Sequence, residues 1–261
     1  MISLDSYRNL YKLDGKVALV AGGAGGIGSA ISEGLVAHGA MVVICGRSGA
    51  KAEAQASQIE AAGGRAWGAA LDILNVASVG SFVDEVVRRF GSLDVLVNSA
   101  GTHVDRPAED YTEEDWDRVL DLNLKAAFFL SQAVARAQIR QGSGKQIHIS
   151  SVRSLLGIQR GYIAYCSSRG GMNMMIKQLA TEWAKYRINV NGIAPTFTRT
   201  PLVKDYLEDP DFYNPLVARI PLGRICEPKD LAAMAVYLAA PASDFITGQI
   251  IFADGGLTAT Q

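Results

Sequence analysis

The sequence predicts an α/β protein: a single domain over 1–261 with one doubly wound parallel sheet and helices on both of its faces. Short apolar runs alternate along the chain with longer segments that have helical spacing. Several of these runs are apolar at nearly every position, as expected of strands buried on both faces of a parallel sheet. No linker, repeat or low-complexity block divides the chain, so one domain accounts for all of it.

The elements can be placed in order along the chain. We expect seven strands, at 16–21, 40–45, 65–70, 93–97, 146–149, 187–193 and 249–253. The helices expected between them cover 29–38, 50–62, 75–90, 112–140, a segment that carries Tyr165 to Leu179, and 228–238. Thr112 and Asp115 have the spacing of a capping box at the start of the fourth of these helices. Residues 1–12 form an N-terminal extension, and about 198–222 form an irregular insertion near the substrate.

Composition excludes several classes of function. The net charge of −1 and the pI near 6.3 give no electrostatic basis for binding nucleic acid or an acidic membrane. The three cysteines are far apart, so neither a disulfide framework nor a metal site is indicated. Residues 1–12 lack the apolar core of a signal peptide, and no run approaches the roughly 20 apolar residues that span a bilayer. We expect a cytoplasmic protein.

A glycine-rich loop follows the first strand and precedes the first helix. Gly22, Gly26 and Gly28 match the spacing G-x-x-x-G-x-G, while Gly23, Gly25 and Gly28 match G-x-G-x-x-G. In either register, glycines let the backbone turn tightly and approach a pyrophosphate, and the helix N-terminus supplies N–H donors. The strand before and the helix after the loop favour dinucleotide binding over simple close packing.

The end of the second strand indicates which dinucleotide is bound. An NAD site of this kind needs an acidic residue about 20 residues after the glycines, to bind the ribose 2′-hydroxyl. None is present, and Arg47 with Ser48 stands where a 2′-phosphate would lie. A guanidinium pairs bidentately with phosphate, so NADP(H) is favoured, with NAD(H) possible.

A candidate proton-transfer site centres on Ser151 and Tyr165. Ser151 follows the fifth strand, and Tyr165 and Arg169 are four residues apart on a helix, so their side chains share one face. A cation beside a phenol stabilises the phenolate. The pattern indicates a hydroxyl, a phenol and a fixed cation at the carboxyl edge of the sheet, where ligands of such sheets bind.

Together these motifs identify a resemblance to the short-chain dehydrogenase/reductase family, in its short single-domain branch with a Rossmann-like sheet. The resemblance extends from about 13 to 256 and rests on the glycine loop, Asn98-Ser99-Ala100-Gly101, Asn123, Ser151, Tyr165 and Asp254-Gly255-Gly256. It implies that Ser151 orients a substrate carbonyl and that Tyr165 is the general acid or base. It also implies that Asn123 anchors a water in a proton relay.

The resemblance implies a cofactor site as well. Asp72 would lie by the adenine and Thr200 by the nicotinamide carboxamide. The residues expected to bind the cofactor are Gly22, Gly26, Ile27, Gly28, Arg47, Ser48, Asp72, Ile73, Asn98, Ala100, Gly101, Tyr165, Arg169, Pro195, Thr198 and Thr200.

Three positions depart from the family pattern. Ala21 replaces the usual threonine before the glycines, and Pro195-Thr196 replaces a Pro-Gly turn. Arg169 replaces the lysine that stabilises the tyrosinate and holds the nicotinamide ribose. Arginine keeps the charge, but it is longer and cannot release a proton. The charge role is therefore retained, while the positioning and relay roles are in question.

The predicted function is an NADP(H)-dependent oxidoreductase that interconverts a carbonyl and a secondary alcohol on a sugar, polyol, sugar acid or 3-oxoacyl compound. His103, Arg153, Gln159 and Arg199 could bind such a substrate. The alternative is a catalytically impaired nucleotide-binding scaffold or sensor, since Arg169 could have disabled the site. By resemblance we expect a homodimer or homotetramer that pairs the helices carrying Asn123 and Tyr165, with neither nucleic acid nor membrane as a partner.

Overall fold

The sheet has seven parallel strands, as the sequence predicts. A computed structural model of the protein describes residues 3–260. The strands are β1 (Val17–Ala21), β2 (Met41–Gly46), β3 (Arg65–Ala70), β4 (Val95–Asn98), β5 (Gly144–Ile149), β6 (Ile188–Pro195) and β7 (Ile250–Ala253). Their order across the sheet is β3-β2-β1-β4-β5-β6-β7. The order reverses between β1 and β4, and this switch point is where doubly wound sheets bind their ligands.

Helices cover both faces of the sheet. They are α1 (Leu4–Asn9), α2 (Gly26–Ala37), α3 (Gly49–Ala61), α4 (Val76–Phe90), α5 (Glu113–Leu120), α6 (Ala126–Gln141), α7 (Ile163–Trp183), α8 (Lys204–Glu208), α9 (Pro210–Ala218) and α10 (Pro228–Ala239). α2, α3 and α10 pack on one face, while α4, α6 and α7 pack on the other. Alternate residues of β1 enter the two cores, which explains why its run is apolar throughout. The predicted fold class is confirmed.

Several boundaries differ from the sequence prediction. α2 begins at Gly26 rather than at residue 29, because the last glycines of the loop already form its first turn. The predicted helix over 112–140 is interrupted by a π-helical turn at Asp121–Lys125. α1 lies in the N-terminal extension and buries none of its residues, so no apolar stripe marks it in the sequence.

The segment 198–222 is more regular than expected, since it contains α8 and α9. Asp209 caps α9 by accepting a hydrogen bond from the Asp211 N–H, and Pro210 occupies the first turn. The capping box predicted at Thr112 is only half formed. Thr112 accepts from the Asp115 N–H, but the Asp115 carboxylate pairs with Arg106 at 2.7 Å.

Within residues 3–260, no helix has the length and apolar character needed to cross a bilayer. The same residues contain no group of three or more His, Cys, Asp or Glu side chains placed to hold a metal ion.

Candidate active site

A cavity of about 190 Å³ opens at the carboxyl edge of the sheet. The loops that follow β4, β5 and β6 meet there with the start of α2 and the start of α7. Its walls contain the predicted site residues Ile27, Gly101, Ser151, Tyr165, Arg169, Pro195, Thr198 and Thr200, together with His103 and Arg153. The structure therefore joins residues that are up to about 170 positions apart in the sequence, and it does so where parallel strands end.

The glycine loop after β1 has no space for side chains at its key positions. Gly22 has φ +76°, a left-handed conformation that favours glycine. A Cβ on Gly28 would lie 2.2 Å from the Gly22 carbonyl oxygen, and one on Gly26 would lie 2.7 Å from the Thr200 side chain. At Gly25 the nearest atom would be 3.2 Å away. A Cβ on Gly23 would lie 2.8 Å from the Val20 carbonyl oxygen, so the steric demand is strict in both registers and is weakest at Gly25.

The loop after β4 packs on this glycine loop. Asn98, the last residue of β4, is buried and accepts a hydrogen bond from the Ala100 N–H in this loop through Oδ1, at 3.2 Å. A Cβ on Gly22 would lie 3.0 Å from the Ala100 nitrogen, so the two loops touch backbone to backbone. The residues predicted to bind the dinucleotide backbone thus share one surface.

The remaining predicted cofactor residues lie at the ends of β2 and β3, outside the cavity. Arg47 is exposed at the end of β2. Ser48 caps α3 by accepting from the Lys51 N–H. Asp72 is exposed and accepts from the Leu74 N–H at 3.1 Å, while the side chain of Ile73 is buried in the core. Of Asp72 and Ile73, only the former presents a side chain to a ligand.

Asn123 fastens the loop after β4 to α7. It lies in the π-helical turn, is fully buried, and accepts a hydrogen bond from the Thr102 N–H at 2.8 Å. Its Nδ2 donates to the Thr102 carbonyl at 2.8 Å and to the Ser168 hydroxyl at 3.1 Å. Asn123 is therefore a positioning residue in this structure, and the relay water implied by resemblance stays a prediction.

Ser151 presents a hydroxyl to the cavity. It follows β5 and caps the short 3-10 turn Val152–Ser154, because its Oγ accepts from the Arg153 N–H at 3.1 Å. Its hydroxyl proton donates to no other described residue, so it is available to a ligand oxygen. The cap fixes the position of the side chain without using its donor.

Arg169 lies beneath Tyr165. Its guanidinium carbon is 5.0 Å from the centroid of the Tyr165 ring, and the side chain is buried. Nη1 donates to the Ile149 carbonyl at 3.0 Å, while Nε makes no hydrogen bond within the described part of the chain. A Cβ on Gly101 would lie 2.3 Å from Nη2. The arginine thus places a charge beside the phenol and reaches the loop that is predicted to bind the cofactor.

An aromatic wall borders the phenol. The His103 ring lies 5.2 Å from Tyr162 and 6.3 Å from Tyr165, measured between centroids. Burial lowers the pKa of His103, and the attraction of Asp105 only partly offsets this. Burial also raises the pKa of Tyr162 to about 12. Both side chains therefore stay uncharged near neutral pH and present polar but neutral groups to the cavity.

The four polar residues proposed for substrate binding separate in the structure. His103 and Arg153 line the cavity with Tyr165, and Gln159 lines a wider cavity of about 760 Å³ beside it. Arg199 instead forms an ion pair with Glu227 at 2.9 Å and lines neither cavity. Sequence reasoning did not single out Tyr206, which lines both. Its position depends on α8, for which the sequence gives no clear signal.

The chain is similar to known proteins in both sequence and structure. Residues 22–258 match the family model described as enoyl-(acyl carrier protein) reductase. The chain is 36% identical to gluconate 5-dehydrogenase from Gluconobacter oxydans over 253 residues, which cover 97% of this chain and 98% of that protein. It is 38% identical to D-threitol dehydrogenase from Mycolicibacterium smegmatis over 248 residues, 95% of each chain.

Solved structures agree with these relatives. A gluconate 5-dehydrogenase from Burkholderia cenocepacia, solved in complex with NADP and tartrate, superposes with a TM-score of 0.93 at 37% sequence identity. The match covers 97% of this chain and 99% of that one. The likeness therefore includes both the sheet and the loops that form the cavity.

Proposed function

This chain belongs to the short-chain dehydrogenase/reductase family, and from that premise we propose that it interconverts a carbonyl and a secondary alcohol on a sugar, polyol or sugar acid, with NADP(H). The observation that carries the proposal is the cavity in which Ser151, Tyr165 and the buried cation Arg169 lie beside the glycine loop. Relatives named for gluconate and for threitol support the substrate class.

The residues present fit a phosphorylated dinucleotide. Glycine at 22, 26 and 28 lets the loop close tightly against the protein's own atoms ahead of α2, and the start of α2 supplies N–H donors for a pyrophosphate. Arg47 is exposed and pairs with no described carboxylate, so it is free to bind a 2′-phosphate. When bound, NADPH would supply the hydride. Solved relatives that contain NADP support this choice of cofactor.

Three side chains of this chain perform the proton chemistry. The Ser151 hydroxyl donates a hydrogen bond to the substrate oxygen and orients it. Tyr165 donates its phenolic proton to that oxygen as the alcohol forms, and takes it back in the reverse direction. Arg169 stabilises the phenolate left behind, since its charge lies on the buried side of the ring.

Activity would be tested by following NADPH consumption with keto-sugars, keto-acids and 3-oxoacyl thioesters, with NADH for comparison. We expect turnover of a keto-sugar or keto-acid, a preference for NADPH, and a loss of about 100-fold or more in Tyr165→Phe. Tyr7→Phe is the matched control, because Tyr7 is exposed on α1. Turnover of thioesters alone would contradict the substrate class, and tight NADPH binding without turnover would favour the scaffold alternative.

We propose further that the protein is a cytoplasmic homo-oligomer, a dimer or tetramer that pairs the faces of α6 and α7. Phe129, Ala133 and Met175 are half-buried in the single chain and remain available to a second copy. Ala126 is buried in the core and would not take part. A monomeric mass by light scattering at micromolar concentration would refute this arrangement.

A further inference from the structure

Arg153 is a buried cation with no carboxylate partner. It belongs to the 3-10 turn Val152–Ser154 near the start of the loop after β5, lines the cavity, and is only 5% exposed. Nη1 donates to the Gly157 carbonyl at 2.7 Å, but within residues 3–260 neither Nε nor Nη2 donates to a protein atom. No ion pair of the described chain includes Arg153. Burying a charge without a partner is costly, so such an arrangement calls for an anion.

On the side that Arg153 shares with Tyr165, no carboxylate from the part of the chain that the structure describes balances its charge. Among the described residues that line the cavity with Tyr165 there is no Asp or Glu. Burial lowers the pKa of Arg153, and the nearby Arg219 lowers it further, while only weakly acidic thiol and phenol groups oppose this. Arg153 also lines the adjoining wider cavity, together with Asp209 and Asp211, but among the described residues no hydrogen bond or ion pair joins it to either. Asp209 accepts from the Asp211 N–H at the start of α9.

The other cations near the cavity are placed differently. Arg219 is exposed and lines only the wider cavity. Arg169 is bonded to the Ile149 carbonyl and lies against Tyr165. Arg160 forms an ion pair with Asp105 at 2.9 Å. Arg153 and Arg169 thus both share the cavity wall with Ser151 and Tyr165, but Arg169 lies against the phenol ring, whereas Arg153 has two free nitrogens, Nε and Nη2.

We propose that Arg153 binds the carboxylate of the substrate, so that the enzyme acts on sugar acids in preference to neutral polyols. This inference rests on the proposed function and specifies which part of its substrate class the cavity selects. The two free nitrogens, Nε and Nη2, form the planar fork that matches a carboxylate. The carboxylate at one end of the molecule then fixes which hydroxyl or carbonyl reaches Ser151 and Tyr165.

D-Gluconate and D-sorbitol are a matched pair for the test, because they differ only in a carboxylate and a hydroxymethyl group at one end. Galactonate with galactitol and xylonate with xylitol extend the comparison. Each would be assayed for NADP⁺ reduction, and its binding to the NADP⁺-saturated enzyme would be measured by calorimetry. The variants are Arg153→Gln, Arg153→Lys and the control Arg199→Gln, which removes the same group from an ion pair outside the cavity.

We expect wild type to prefer an acid to its neutral partner. Arg153→Gln should lower kcat/KM and affinity for the acid about 10- to 100-fold, the range for a hydrogen bond to a charged group, and change those for the polyol less than about 3-fold. Arg153→Lys should recover part of the loss, and Arg199→Gln should match wild type. Thermal unfolding of each variant verifies that it is folded.

Two results would overturn the inference: an equal loss for acid and polyol in Arg153→Gln, which marks a purely structural role, or no loss at all. The proposed function fails separately, if wild type turns over none of the panel with NADP⁺ or NADPH. In that case the role of Arg153 is tested by the calorimetric affinities for acid and polyol alone. An acid preference that disappears in Arg153→Gln supports the inference, and the absence of any acid binding to wild type overturns it.

Discussion

Replacing Arg169 by methionine tests whether the charge at this position is what the reaction needs. Methionine keeps an unbranched apolar stem, which is shorter than that of arginine, but it has no charge and no donor. The guanidinium carbon lies 5.0 Å from the Tyr165 ring centroid. At an effective dielectric constant of about 20, a unit charge at that distance stabilises a phenolate by about 3 kcal/mol. Because Tyr165 is half-buried at the cavity wall, solvent screening lowers this to about 2 kcal/mol, which corresponds to about 30-fold in rate.

Arg169→Gln and Arg169→Lys separate the charge from the hydrogen bond. Arg169 also donates to the Ile149 carbonyl at 3.0 Å, so Arg169→Met could lose activity through a displaced loop. Glutamine keeps a donor without the charge, and we expect it to lose about 30-fold, as methionine does. Lysine keeps the charge on a shorter side chain, and we expect it to stay within about 10-fold of wild type.

The assay is the rate of NADPH oxidation at saturating cofactor, with the NADPH dissociation constant from fluorescence and the unfolding temperature for each variant. If Arg169→Met and Arg169→Gln were as active as Arg169→Lys, the reasoning would be refuted, because the two uncharged side chains would then serve as well as the charged one. If Arg169→Lys alone turned over, arginine would be the residue that disables the site, and the scaffold alternative would replace the enzyme.

Two further changes are predicted from the structure. Gly28→Ala should weaken NADPH binding about 10- to 100-fold, because the new Cβ would lie 2.2 Å from the Gly22 carbonyl oxygen and would displace the loop that donates to the pyrophosphate. Gly80→Ala is the control, since a Cβ there meets nothing within 4 Å. Unchanged NADPH affinity of Gly28→Ala in a fluorescence titration would contradict the steric argument. Burial, reinforced by Arg169, lowers the pKa of His148 to about 4 from 6.5, so the unfolded chain binds more protons between these values and stability falls as the pH falls through this window. The loss should reach about 2 kcal/mol from pH 6.5 to pH 5 in urea unfolding and be absent in His148→Gln; an equal loss in the variant would show that another group titrates.

The sheet could be predicted from the sequence because its pattern is local. A strand buried on both faces leaves an almost unbroken apolar run, and each such run became a strand within a few residues of the expected bounds. The glycine loop was equally visible, since the steric demand at Gly22 and Gly28 is met by one residue type only.

Other elements depend on contacts that no local pattern records. The π-helical turn at Asp121–Lys125 interrupts an otherwise ordinary helical segment, and the bonds from Asn123 to Thr102 and Ser168 accompany it. α8 and α9 form in a segment without a strong apolar stripe, where caps and packing over the cavity outweigh weak propensity.

The site divides in the same way. The sequence by itself determined that Ser151, Tyr165 and Arg169 lie at the carboxyl edge of the sheet, because strand ends and helical spacing place them there. It could not distinguish Arg153 from Arg199, which are chemically identical and both close to a strand end. Only the tertiary structure decided between them: Glu227 satisfies Arg199 at the surface, while Arg153 is buried against the cavity without a carboxylate. Whether a charge is paired depends on neighbours brought together by folding, and those neighbours lie far away in the chain.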